Sequence, residues 1–528
     1  MSKLNSAKAV FASSRTSRRL KRSVWMLSAA VAAIVLANPA QAQVASTALP
    51  TGGNVVGGSA SIGTPTPSSM SINQSTERAV INWNTFDIGS AASVTFVQPS
   101  SASIAVNRVT GGGPGSEIAG QLTANGRIAI LNPNGVLFSG GSVVNVGSLI
   151  ASTGDIDTNA FMAGGNLNIT GATGGEIVVN GNINITAGSL GLAAFVAPTV
   201  RNSGVITATA GRVQLGAGTA FTLDLAGDGL LSIGVPASSA LVQNNGQIFA
   251  EGGRIQMSAR TAGAAVDNLV NTGTLSVDSA TLDNGTIVLE AVGGSANLSG
   301  TIAANDRNSI SRNILISSDQ GVNISGNLSG ASGTVNITAP HIYGAGKIST
   351  NTALMLNISN NGTDTTALGN YINDALGVIG TAGFGTTLKL GAGTYKSGVR
   401  VDASNVAIDG QGVAKIGWTS GIENAIDIWG DYVTVKNLEI SGPATSAFTS
   451  YAWGSTNSRG IFVNRYADNV QLLNNNIHDI RTGIIVDGRN VNTYLLNNTV
   501  DNTKSAISIQ YTDGSNVTMW QPRQHLWQ

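Results

Sequence analysis

The chain has 528 residues, 28 basic and 28 acidic side chains, no cysteine, 67 glycines and only 11% charged residues. An apolar fraction of 42% is too high for a disordered chain, and the glycines follow no Gly-X-Y period, so disorder and a collagen helix are excluded. Seven cations (Lys3, Lys8, Arg15, Arg18, Arg19, Lys21, Arg22) lie within residues 1–42, which leaves 21 cations against 28 acids and a charge of about −7 beyond them; nothing gathers positive charge against phosphates, so a nucleic-acid binder is excluded.

The first element, residues 1–42, reads as an export signal. A basic segment precedes the apolar run SVWMLSAAVAAIVLA (residues 23–37), and Pro39-Ala40-Gln41-Ala42 follows. Ala40 and Ala42 form a small-residue cleavage pattern, so the mature chain is expected to begin at Gln43. An apolar run of about 15 residues is short of the roughly 20 that span a bilayer, and no later segment approaches that length. The mature chain is therefore expected not to be integral to a membrane. The lack of cysteine suits a chain that crosses membranes extended, because a premature disulfide would lock a loop.

Residues 43–153 carry motifs in a fixed order. They are Ile72-Asn73-Gln74-Ser75, then Ala79-Val80-Ile81-Asn82-Trp83-Asn84-Thr85-Phe86-Asp87-Ile88-Gly89, then Val94-Thr95-Phe96-Val97-Gln98-Pro99. Asn107-Arg108-Val109-Thr110-Gly111-Gly112, Gly120-Gln121-Leu122 and Gly126-Arg127-Ile128-Ala129-Ile130-Leu131 follow, ending in Asn132-Pro133-Asn134-Gly135 before Val136-Leu137-Phe138. Physically the Asn132–Gly135 tetrad is a tight turn: Pro133 presets one φ, Asn134 tolerates the second corner and Gly135 closes it. As a motif alone it needs no role beyond joining two strands. In its ordered context this segment resembles the secretion domain of filamentous-haemagglutinin-type exoproteins of two-partner secretion. That resemblance, with the repeats that follow, covers about residues 43–305. It implies that Asn132, Pro133, Asn134 and Gly135, with Asn107, Arg108, Thr110 and Gly126 around them, belong to an export address. The implied partner is an outer-membrane β-barrel transporter with periplasmic capture domains, so the chain is expected to be secreted or surface-bound in a Gram-negative cell after passage through Sec.

Residues 154–340 read as β-helix repeats. Asn202-Ser203-Gly204-Val205-Ile206-Thr207-Ala208 followed by Gly211-Arg212-Val213-Gln214-Leu215-Gly216-Ala217 recurs as Asn244-Asn245-Gly246-Gln247-Ile248-Phe249-Ala250 followed by Gly253-Arg254-Ile255-Gln256-Met257-Ser258-Ala259. Each unit is a turn signal and then a short alternating strand, so one face is buried and one wet. Strands this short cannot bury a face alone and must stack, which predicts an all-β parallel β-helix; the resemblance implies that it is right-handed and begins with a capped N-terminal secretion domain. About 20 rungs spaced by ~4.8 Å give a rod of roughly 100 Å, whose end edges need caps. Residues 341–394 are less regular and read as a short helix or a junction.

Residues 395–520 repeat in another register: Val433–Ile440, Val470–Ile477 and Thr493–Val500 correspond, and Gly460, Gly483 and Ala506 open strands 23 residues apart. Asn474-Asn475 and Asn497-Asn498 fall at one turn, as expected of stacked amides. These units resemble the pectate-lyase-like parallel β-helix. Residues 521–528 break the pattern, and exoproteins of the resembled type are far longer, which fits a truncated product.

Adhesion to a host cell, matrix or bacterial surface is the expected role, with no cofactor, no metal site and no catalytic residue assigned. The alternative is a carbohydrate-active lyase or hydrolase; the resemblance to lyases of this shape would make Asp468, Asp479, Asp487 and Asp501 the acids that hold calcium and Arg465, Arg481 or Lys504 the base. Acids favour turns and bases solvate surfaces, so these residues need no catalytic explanation. His478 is read as a turn-edge residue without a constellation.

Overall fold

The computed structural model describes residues 44–224, 231–263, 267–278, 285–305, 312–330, 333–361, 368, 370–382, 384–443, 457–487, 492–510 and 517–520. The expected signal, its cleavage residues Ala40, Ala42 and Gln43, and the tail 521–528 lie outside them. Among the described residues no helix is long and apolar enough to cross a membrane.

Alternating aliphatic residues between glycine and asparagine turns make strands of two to eleven residues, and these coil. Val136–Phe138, Val143–Val146 and Ser148–Ser152 form one rung, and Glu176–Val179, Asn182–Ile185 and Leu192–Ala197 the next. Each strand pairs in parallel with its successor, with Val136 opposite Ile177, Val144 opposite Ile183 and Leu149 opposite Ala193. The expected parallel β-helix is therefore the fold.

One sheet runs through the whole coil, from Arg78–Trp83 to Val517–Trp520. Its inward column passes from Leu215 through Met257, Leu289, Ile316, Ile337 and Leu356 into Leu388, Ile408, Val435, Leu472 and Leu495. All are buried. Like side chains stack on like, so each rung buries the apolar face that the previous one leaves open.

The other two sheets change partway. One ends at Ile342–Tyr343 and another at Ile379–Ala382, and two new sheets open at Val399–Val401 and within Thr386–Lys396. Between Ile342–Tyr343 and Val399–Val401 sits the helix Tyr371–Gly377, which buries Ile372, Ala375 and Leu376. Asn373 ties it to the new sheet, donating to the Gly398 carbonyl at 2.9 Å and accepting from the Arg400 amide at 2.9 Å.

The N-terminal edge is closed by antiparallel strands: Asn54–Gly57 on Arg78–Trp83, and Ala60–Thr66 on Ser69–Gln74. This removes the open edge that would otherwise pair with another chain. A second, outer core lies on the through sheet. The run Leu192–Ala197 is buried at every position because Ala194 and Val196 point outward beneath Phe221, Leu223, Leu231 and Ile233 of a small antiparallel sheet. The helix Thr158–Ala163, capped by Asp157 through the Ala160 amide at 2.7 Å, adds Phe161 to it. Farther along, Gly285–Val292 alternates buried and half-exposed, since no described layer covers it.

Candidate functional site

The secretion-motif turn joins Arg127–Leu131 to Val136–Phe138, in two different sheets. Asn132 is buried, and its side chain organises the corner. Its Oδ1 accepts from the Asn134 amide at 3.0 Å, and its Nδ2 donates to Ser116 Oγ at 3.1 Å and the Pro114 carbonyl at 3.3 Å, both in the preceding rung. The Asn132 amide donates to the Ser152 carbonyl, and the Gly135 amide returns to the Asn132 carbonyl at 2.9 Å. Pro133 and Asn134 are exposed, yet Asn134 Nδ2 reaches the Gly113 carbonyl at 2.6 Å. Gly135 has φ +108°, and a Cβ there would stand 2.7 Å from the Glu176 carbonyl oxygen of the next rung. This turn therefore staples three rungs together.

The context residues lie in the same part of the coil. Asn107 is fully buried, accepts from Trp83 Nε1 at 3.0 Å and donates to the Ala129 carbonyl at 3.2 Å. Arg108 pairs with Asp155 at 2.7 Å and donates to the Ile156 carbonyl at 2.7 Å, which fastens the segment leading into the helix Thr158–Ala163. The Thr110 amide donates to the Trp83 carbonyl at 2.8 Å. Gly126 donates to Gln98 Oε1 at 3.0 Å, and a Cβ there would meet that oxygen at 2.7 Å. Apart from the exposed Pro133, these residues are hydrogen-bonded to neighbouring rungs, though not through one shared pocket.

Two members of this network were not singled out from sequence. Gln98 is buried and donates to Gln74 Oε1 at 3.0 Å and to the Ser103 and Arg127 carbonyls at 3.2 Å, so one amide spans three rungs. Asp87 accepts from the Glu117 amide at 2.9 Å, and burial raises its pKa. Both stand inside quoted motifs, Val97-Gln98-Pro99 and Phe86-Asp87-Ile88, but alternation does not tell a wet polar residue from one folded inward.

The C-terminal acids and bases do not converge. Asp487 is held by Arg465 at 2.9 Å, Asp468 Oδ1 accepts from the Asn469 amide at 2.7 Å, and Arg481 donates to Asn457 Oδ1 at 2.7 Å. Asp501 lies on another sheet, beside His478 in register. Among the described residues no group of His, Asp and Glu is arranged to hold a metal. The reading of His478 is corrected. It lies between Asp479, at 2.7 Å from Nδ1, and Glu439, at 3.2 Å from Nε2. Burial opposes its charge, but these two hydrogen bonds outweigh burial and raise its pKa. Lys415, at 2.6 Å, and then His478 hold the Glu439 carboxyl below its usual range, and Asn502 and His478 do the same for Asp479. Spacing could not reveal this cluster, because Glu439 and His478 are 39 residues apart and meet only in adjacent rungs.

Residues 46–304 match the family model described as the TPS secretion domain. A "Heme/hemopexin-binding protein" of Haemophilus influenzae strain Rd is 40% identical over 182 residues, 34% of this chain and 20% of that protein. A second Haemophilus influenzae protein of that description is 43% identical over 100 residues, 19% of this chain and 11% of that protein. The chain thus spans about a fifth or less of the length of these curated relatives. The solved HMW1 secretion domain from Haemophilus influenzae superposes with a TM-score of 0.47 and 22% identity, covering 87% of this chain and all of that one.

Proposed function

We propose that the chain, residues 46–304 of which match the TPS secretion domain model, is an exoprotein whose N-terminal coil is recognised by a partner outer-membrane β-barrel transporter and delivered to the cell surface. Residues 1–42 act as the Sec signal, cut after Ala42, and the exported coil serves as an adhesin on a host, matrix or bacterial surface. The observation that carries the reading is the buried knot at Asn132, whose amide joins the turn to the rungs on either side. Periplasmic capture domains engage the segment while it is extended, adding it as a strand to a sheet edge. Once outside, each rung needs only its predecessor as template, so folding proceeds vectorially and biases the chain outward. The absence of cysteine leaves nothing to cross-link beforehand.

The test is secretion with and without the transporter. Residues 43–305 alone should reach the medium only when the transporter is co-expressed. Asn132→Ala should lower the secreted amount at least roughly tenfold, because it strips several buried hydrogen bonds at about 1–3 kcal/mol each, whereas the exposed Pro133→Ala should lower it little. Equal secretion without the transporter would overturn the export route, and wild-type secretion of Asn132→Ala would remove the turn from it.

A further inference from the structure

Where the chain enters the C-terminal strands of the through sheet, one residue per rung has positive φ: Gly385 (+89°), Asn405 (+58°), Tyr432 (+55°), Asn469 (+53°) and Asn492 (+63°). Strand register places these five above one another. Glycine and asparagine take this backbone conformation readily, but a bulky side chain there is strained. Tyr432 gains little burial in return, because it is 59% exposed. Strain kept without a packing reason points to a use for the ring.

Tyr432 forms one wall of an open slot of about 220 Å³, and Phe384, 81% exposed, stands in the same lining. Thr387, Asn405 and Thr434 contribute the polar part, and no charged residue lines the slot among the described residues. Gly385 lets the chain run close beneath, since a Cβ there would stand 2.8 Å from the Asn405 carbonyl oxygen. Aromatics are only 5% of the chain, so two exposed rings at one slot are not a consequence of composition.

We propose that this slot binds an uncharged saccharide, with the C–H face of a pyranose against Tyr432 and Phe384 and its hydroxyls bonded to Asn405, Thr387 and Thr434. Apolar ring faces with a few convergent amide and hydroxyl groups suit a molecule that is apolar on one face and polar at its rim. The uncharged lining offers nothing to a sulfated, sialylated or uronic-acid sugar, or to a phospholipid headgroup. The inference names a ligand class for the adhesion reading and rests on it only for biological context.

Binding of cellotetraose, chitotetraose and lacto-N-neotetraose to the purified full chain by calorimetry, with heparin and 3′-sialyllactose as charged probes, tests the site. At least one neutral probe should bind, and Tyr432→Asn and Phe384→Ala should each weaken it tenfold or more. Tyr432→Asn should unfold at the same or a higher temperature, because asparagine is the residue of the adjacent rungs. Binding of charged probes only, no binding of any neutral probe, or undiminished binding by both variants overturns the proposal. A lower melting temperature for Tyr432→Asn also overturns it, by giving the ring a structural reason. Failure of the wild-type chain to adhere to cells would sink the adhesion reading alone, since saccharide binding is measured on purified protein.

Discussion

Buried amides and close-packed glycines carry the specificity of the coil. Asn202 donates to Asn244 at 2.7 Å and Asn244 to Asn271 at 2.8 Å, all three fully buried. Asn244→Ala removes a buried partner from the side-chain amides of both neighbours and should cost about 1–3 kcal/mol, seen as a lower denaturation midpoint. Beside them runs the column Gly204, Gly246, Gly273, Gly300 and Gly326, where an added Cβ would collide with the carbonyl oxygen of the glycine below. Backbone rather than a flexible side chain is in the way, so Gly273→Ala should destabilise by at least about 2 kcal/mol in the same assay. His478 gives a pH dependence. Its folded pKa is raised above the ordinary 6.5, so its contribution is full below that value and is lost as pH rises through the folded pKa. Glu439 and Asp479 are lowered from 4.5 and 3.8, so theirs is present above those values and lost as pH falls through their folded pKa values. The cluster therefore holds best between about pH 4.5 and 6.5. Melting temperature should drop more between pH 6 and pH 8 for the wild type than for His478→Gln, and equal slopes would count against the cluster.

At the scale of elements, the helix Tyr371–Gly377 decides how two registers meet. It fills the position between the last strand of one sheet and the first of another, with Ile372, Ala375 and Leu376 against the core. Above it His341 stacks between Tyr343 and Tyr371, with ring centroids at 4.5 and 4.1 Å, and bonds Asp374 at 2.8 Å. Ile372→Ala should cost about 2–5 kcal/mol and should loosen the rungs beside the helix first, as amide exchange would report. The irregularity of residues 341–394 was visible as a loss of alternation. The helix is short and lacks a side-chain N-cap bond, so sequence left a helix and a plain junction equally open. The outer layer was likewise hidden, because an all-apolar strand such as Leu192–Ala197 says only that both faces are covered, not by what.

For the whole coil, contacts run between neighbouring rungs, so unfolding should follow nearest-neighbour terms rather than one all-or-none step. Two probes, the fluorescence of N-terminal Trp83 in a variant whose other six tryptophans are replaced by phenylalanine and the backbone circular dichroism of that variant, should give different denaturant midpoints, and coincident curves would contradict this. The coil was legible in the sequence for a physical reason: alternation, turn residues and repeated spacing are local, and a strand with one apolar face has no alternative to stacking. The ordered motifs up to Gly135 were legible as turns and strands, and as an export address only through their resemblance to a known secretion domain. Distances across rungs were not, because register brings together residues 20 to 40 positions apart that no local pattern links. That is how Gln98 comes to join three rungs, how His478 meets Glu439, and how Tyr432 falls in a column of asparagine and glycine. Local chemistry determined that the chain would coil; only the stacking decided which polar side chains it turned inward and which rings it left facing solvent.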